Sequence, residues 1–155
     1  MKIYLVQHGQ ALPKEEDPQR PLSEKGLAEV HKAASYAANN VDIKVVQIIH
    51  SGKLRAQQTA EVIAEHLKPA GGVTAQDGLE PNADPAIWAE RSLAAVDDIM
   101  LVGHLPHLSR FSSLLLCGDP DKEVIQFCNA GIVYIRKDEA GAFRLKWVLT
   151  PEVVG

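Results

Sequence analysis

Cysteine is scarce in this chain: only two of its 155 residues are cysteines, Cys117 and Cys128, and they form no CxxC pair. A disulfide framework is thereby excluded, and a reducing compartment suits the two thiols. Basic residues are outnumbered, with 16 Lys and Arg against 20 Asp and Glu, leaving a net charge of −4. Nonspecific nucleic-acid binding depends on neutralising phosphates with Lys and Arg, so this balance argues against it, though not against a local basic pocket. No apolar stretch approaches the roughly 18 residues of a membrane-spanning helix. The opening MKIYLVQHG is too short an apolar run for a signal peptide, because His8 follows at once. Neither a GxxxxGKS/T loop nor a GxGxxG is present, so nucleotide binding lacks its basis. The expectation is a soluble cytoplasmic protein without a nucleic-acid or membrane partner.

What is present is ordinary for a globular protein, at 46% hydrophobic and 23% charged residues. The length of 155 residues fits one domain spanning 1–155. Lys2–Val6 reads as a short strand that stops at Gly9, and Leu12–Pro21, polar and carrying three prolines, reads as a loop. Ser23 is placed to cap a helix over about 24–39, with Leu27, Val30, Ala34 and Ala37 or Ala38 on its apolar face. Gly26 in the first turn of that helix weakens it.

Val45–Ile49 is a continuous apolar run of the kind buried on both faces of a parallel sheet, and a helix follows over about 53–67 with Ala56, Ala60, Ile63 and Leu67 as its stripe. A short strand fits 73–75, a helix 86–95, a buried strand 98–102, and a helix from Pro106 through Leu116. Val124–Phe127, Ile132–Arg136 and Phe143–Leu149 complete the set as strands, the last two joined around Asp138–Gly141. Helices alternating with apolar strands predict an α/β sandwich around a mainly parallel sheet.

Three of these strands end in polar clusters: Gln7-His8-Gly9-Gln10, His50-Ser51-Gly52-Lys53-Leu54-Arg55, and Gly103-His104-Leu105-Pro106. In open α/β sheets ligands bind outside the carboxyl ends of the strands. Two histidines, an arginine and Lys53 would meet there beside two helix N-termini, whose free N–H groups and partial positive charge suit a phosphate. Arg55 in the first turn of a helix is unfavourable for the helix dipole, so an anion-binding role explains it better than packing does.

At these residues the sequence resembles the histidine phosphatase superfamily. Val6-Gln7-His8-Gly9 is similar to its RHG signature, Ser51-Gly52-Lys53-Leu54-Arg55-Ala56-Gln57-Gln58-Thr59 to its SxxxRAxQT block, and Val102-Gly103-His104 to its second-histidine block. Arg20-Pro21-Leu22-Ser23 with Gly26 resembles the RPLTxxG element of SixA-type phosphohistidine phosphatases. The resemblance implies a phosphoglycerate mutase-like three-layer α/β/α sandwich with an antiparallel edge. It also implies a metal-independent, cofactor-free phosphatase, with His8, Arg55 and His104 catalytic and His8 carrying the phosphate. Gln7, Gly9, Arg20, Ser51, Lys53 and Glu80 are the expected substrate-binding residues, around a pocket that takes phosphate or sulfate. The implied substrate is a phosphohistidine on a phosphotransfer domain or similar protein, with small phosphate esters as the alternative.

Gln7 departs from the pattern, which has an arginine there. A glutamine brings no charge, whereas arginine would clamp phosphate oxygens with a bidentate fork. That departure raises the alternative of a catalytically impaired phosphate- or phosphoprotein-binding module. Other residues have plainer readings. Glu80 fits a general acid or a solvated loop carboxylate, Glu15-Glu16-Asp17 a solvated surface, and Trp88, Trp147 and Phe143 the core. His50 and His107 are weaker candidates for the site. His104 and His107 have i, i+3 spacing, but Pro106 between them and the lack of a third ligand speak against zinc.

Overall fold

The computed structural model describes residues 1–155, and its layers follow from the alternation within the first strand, β1 (Lys2–Gln7). Tyr4 and Val6 point to one side and Ile3 and Leu5 to the other, and all four are buried. On the Tyr4 side lie α1 (Glu24–Asn40) and α2 (Leu54–Leu67), which contribute Val30, Ala34, Ala37, Ala60 and Ile63. On the Ile3 side lie α3 (Pro85–Ala94) and α4 (His107–Cys117), which contribute Trp88, Leu108 and Phe111. Each helix hides one apolar stripe against the sheet, so the chain forms a three-layer α/β/α sandwich.

The other strands are β2 (Ile48–His50), β3 (Val73–Ala75), β4 (Ile99–Gly103), β5 (Ile132–Lys137) and β6 (Phe143–Leu149). Their order in the six-stranded sheet is β3-β2-β4-β1-β5-β6. The β3-β2, β2-β4 and β4-β1 pairs are parallel, while β5 runs antiparallel to both β1 and β6. The expected antiparallel edge is therefore made by the C-terminal hairpin. No helix is long and apolar enough to cross a membrane.

Several boundaries differ from the sequence reading. The apolar run 45–49 is a strand only from Ile48, because Val46 is 55% exposed and its carbonyl accepts from Gly71 N at 2.7 Å. Leu27 does not join the buried stripe of α1 and stands 43% exposed; Gly26 and Ala33 are buried there instead. Val124–Phe127 is not a strand. Its period-2 alternation is real, with Ile125 and Phe127 buried and Val124 and Gln126 outward, but β5 already has a partner on each side. The segment packs Ile125 and Phe127 into the core on the α3 and α4 side without pairing.

Gly26 has a purpose that helix propensity does not reveal. A Cβ there would lie 2.0 Å from the Gln10 carbonyl oxygen and 2.8 Å from Gln10 N. The loop leaving β1 thus lies directly on the first turn of α1, a turn that Ser23 caps by accepting from Gly26 N at 3.0 Å.

Candidate active site

Parallel pairing sets Gln7 beside Gly103, so His8 and His104, one residue further, leave the sheet together at its carboxyl edge. His8 N donates to Gly103 O at 3.1 Å, and the two imidazole rings lie 5.0 Å apart between centroids, tilted by 54°. His8 Nδ1 is 2.6 Å from Gly9 O. A carbonyl can only accept, so the ring proton sits on Nδ1 and Nε2 keeps its lone pair. Burial lowers the His8 pKa from 6.5 to about 4; the bond to Gly9 opposes this, and Arg55 and Arg20 add to it. The ring is neutral at physiological pH.

His104 is 1% exposed, and burial, with His8, Arg55, Lys53 and His107 acting in the same direction, lowers its pKa to about 3. Its Nε2 meets Ser51 Oγ at 2.6 Å, while Nδ1 is buried without a partner. Ser51 Oγ also accepts from Lys53 N at 3.3 Å, so one hydroxyl joins the His104 ring to the start of α2.

Arg55 stands in the first turn of α2 as expected, with Lys53 as the exposed N-cap residue. Burial and Arg20 lower the Arg55 pKa, and its Nε is buried without an acceptor. Arg20 is held with φ of 51°, and its Nε donates to Leu12 O at 3.1 Å. Gln7 ends β1 with its amide oxygen buried and unpartnered. Of these groups the Arg55 guanidinium carries an unmet donor, as an anion site requires, whereas the Gln7 oxygen is an acceptor that an anion does not satisfy.

Glu80 is turned to its own loop: Oε2 accepts from Gly78 N at 2.9 Å, and its charge acts on His107. His107 is wholly buried, stacked on Phe111, with both ring nitrogens unpartnered. His50 is structural, its Nδ1 accepting from Gly52 N at 3.0 Å. No three His, Cys, Asp or Glu side chains gather as a metal site.

Two supporting residues escaped the sequence reading. Thr59, fully buried, accepts from Gly9 N at 3.0 Å and donates to Arg55 O at 2.8 Å, tying the His8–Gly9 loop to α2. Asn129 Nδ2 donates to His8 O at 2.9 Å, and Ala130 N to Gln7 O at 2.9 Å. Thr59 carried a signal in its place within the SxxxRAxQT-like block, whereas Asn129 carried none. Two clefts adjoin His104 through its chain neighbour Leu105 and its partner Ser51. One of about 550 Å³ is lined by Leu105, Pro106, Ser109, Gln126 and Phe127, and another of about 420 Å³ by Ser51, Gly52, Gln76, Asp77 and Arg91.

A neutral imidazole with a free lone pair, facing a second imidazole and a guanidinium at the edge of a parallel sheet, defines an α/β protein built to hold an oxyanion. The family profile of the histidine phosphatase superfamily, branch 1, matches residues 3–82, more than half of the chain, and the protein belongs to that superfamily. No curated protein sequence matches it. Among solved structures, the protein histidine phosphatase SixA complexed with tungstate is similar with a TM-score of 0.83, at 25% identity over 100% of both chains. The alpha-ribazole phosphatase of Shigella flexneri is similar in fold, with a TM-score of 0.74 at 14% identity over 97% of each chain. So is a phosphoserine phosphatase mutant of Entamoeba histolytica in complex with phosphoserine, with a TM-score of 0.69 at 17% identity over 97% of this chain and 98% of that one.

Proposed function

We propose that this chain is a cytoplasmic phosphohistidine phosphatase, acting as one domain, with His8 as its nucleophile. The observation that carries the reading is the hydrogen bond from His8 Nδ1 to Gly9 O, which leaves Nε2 unprotonated and fixed in direction. In the first step Nε2 bonds to phosphorus as the bond from phosphorus to the substrate's leaving nitrogen breaks, and the imidazole leaves neutral, keeping the hydrogen already on its other ring nitrogen. In the second step water attacks the phosphorus, the bond to Nε2 breaks, and inorganic phosphate leaves with His8 neutral again. Splitting the transfer into two displacements is covalent catalysis. Arg55 and His104 stabilise charge on the equatorial oxygens, with Arg20 and Lys53 adding positive potential and the Gly9 loop and Ser51 holding the two rings.

The phosphohistidine substrate is supported by the likeness to SixA over the full length of both chains. A phosphoramidate whose ring already carries that hydrogen loses its imidazole readily, so a strong general acid is not required. That fits a Glu80 bonded to the Gly78 backbone.

Gln7 favours a second reading, a binding module that holds a phosphorylated protein without turnover. One comparison separates the two. His8→Ala should abolish phosphate release from a phosphohistidine protein while inorganic phosphate still binds, and Gln7→Arg should raise kcat by about 10²-fold. Equal release by His8→Ala and the unmodified chain would leave only the binding module. Faster release from simple phosphomonoesters than from a phosphohistidine protein would overturn the substrate.

A further inference from the structure

The cleft of about 420 Å³ beside Ser51 holds a fixed guanidinium, which the larger cleft beside Leu105 lacks. One end of this cleft is Ser51, whose hydroxyl meets His104 Nε2 at 2.6 Å. Its wall is open at Gly52, where a Cβ would meet nothing within 4 Å. The remaining lining is Ala75, Gln76 and Asp77, at the carboxyl end of β3, and Arg91 on α3. The Arg91 guanidinium lies 4.8 Å from the centre of the Trp88 ring, and its Nη1 donates to Asp77 O at 3.2 Å. Trp88 Nε1 donates to the same oxygen at 3.1 Å, so one backbone carbonyl sets both the indole and the cation stacked on it. Trp88 is buried and Arg91 is exposed, and the bond to Asp77 uses one of the five N–H donors of the guanidinium.

An oriented guanidinium without a carboxylate partner is prepared to receive one in a bidentate fork. The three ion pairs of the molecule are Lys44–Asp42, Arg110–Asp121 and Arg144–Asp138, and Arg91 is in none of them. Glu80 accepts from Gly78 N and Asp84 from Ala86 N, so both carboxylates are turned to their own backbone. We propose that Arg91 is a substrate-recognition residue, binding a carboxylate side chain that the phosphorylated protein carries next to its phosphohistidine. This role rests on the phosphohistidine reading and adds the chemistry of the partner, an acidic side chain on the flank that enters the Ser51 cleft. The cleft beside Leu105 is lined by Glu123 and by no cation, so an acid on the other flank meets a like charge.

Two neighbouring charges bear on this recognition. Lys53, the exposed N-cap residue of α2, also attracts anions, but as a point charge on a flexible four-carbon stem. Arg91 is held in one place by Trp88 and Asp77 O, which lowers the cost of ordering it around a ligand. The exposed Asp77 side chain lines the same cleft and acts against a bound carboxylate. Removing Arg91 and removing the Asp77 charge therefore have opposite expected signs.

The test is steady-state phosphate release by the full chain from synthetic phosphohistidine peptides that differ only in carrying alanine or glutamate on either flank of the phosphohistidine. Glutamate on one flank should lower KM by about fivefold with kcat unchanged, and high salt should shrink the advantage. Arg91→Met, which keeps a stem over Trp88, should erase the advantage and leave the alanine peptide unaffected. Arg91→Glu should reverse it, so that a peptide with lysine on that flank becomes the better substrate. Asp77→Asn keeps the carbonyl that braces Arg91 and should lower KM for the glutamate peptide further; it covers the case in which loss of Arg91 disturbs α3. Equal KM for the alanine and glutamate peptides overturns the inference while leaving the phosphatase reading intact. So does an advantage that survives Arg91→Met, since the carboxylate would then sit on Lys53, and so does an Asp77→Asn chain with unchanged KM. No release from any peptide, whether or not phosphoserine is hydrolysed, overturns the phosphohistidine reading and this inference with it.

Discussion

The hydrogen bond that orients His8 is only as firm as the loop that supplies its acceptor. Gly9 presents that carbonyl, and Gly9 is held from behind by the hydroxyl of Thr59. Thr59→Val keeps the shape but leaves the buried Gly9 N–H without an acceptor, at a cost of about 1–3 kcal/mol. Its effect should appear in kcat more than in KM, because the loosened Gly9 carbonyl no longer fixes the attacking tautomer. Steady-state kinetics with a phosphohistidine protein would check it, and an unchanged kcat would show that Gly9 is held without Thr59. Such residues also mark how far the sequence can be read. His8, Arg55 and His104 stood out because strand ends give cations and imidazoles no packing reason to be there. Asn129 was illegible, because its role is to hold the His8 carbonyl from 121 residues away along the chain. Nothing local in Cys128-Asn129-Ala130 announces that contact.

Among the elements, α1 was the most legible in extent and the least legible in motive. Its cap at Ser23 follows from the sequence, whereas the reason for Gly26 appears only when the loop from β1 lies across it. Propensity alone says that Gly26→Ala should strengthen an exposed helix interior by about 1 kcal/mol. The close approach of the Gln10 carbonyl reverses the sign. Gly26→Ala should lower the midpoint of urea unfolding and also slow turnover, since Gln10 is two residues from the nucleophile. A rise in stability would show that the loop can lift away at no cost. Tertiary pairing limited the reading elsewhere too. The 124–127 segment alternates as a strand does, but a segment becomes a strand only where a neighbour has free N–H and C=O groups to share. A contact of the opposite kind holds the far end of the sheet. Lys137 Nζ donates to Ser92 O, Leu93 O and Ala95 O at 2.8–3.0 Å, satisfying carbonyls at the end of α3 that have no partner within the helix.

For the whole molecule, four depressed histidines tie stability to acidity, His50 among them because burial lowers it too. The unfolded chain protonates His8, His104 and His107 near 6.5, whereas the folded chain does so only near 4, 3 and 4. Between those limits the unfolded state binds more protons, so stability is full above pH 6.5 and declines as pH falls toward 4. Thermal melts should lose more than about 5 °C between neutral pH and pH 4. His107→Leu should make that loss smaller and leave the neutral melting temperature equal or higher, because it removes two buried nitrogens that nothing satisfies. An acid-side slope identical to that of the unmodified chain would refute the assignment to His107.

The place of β1 in the sheet governs when this chemistry can exist at all. Of the six strands, the one leading to His8 comes first in the chain, yet its neighbours are β4 and β5, which end at Gly103 and Lys137. While the chain is being made, β1 has no strand beside it and His8 has no facing imidazole until β4 and His104 have left the ribosome. A nascent chain stalled before β5 would expose one whole side of β1, a ready template for pairing with another molecule. Activity should therefore arise abruptly, once β5 has been made, rather than grow with length.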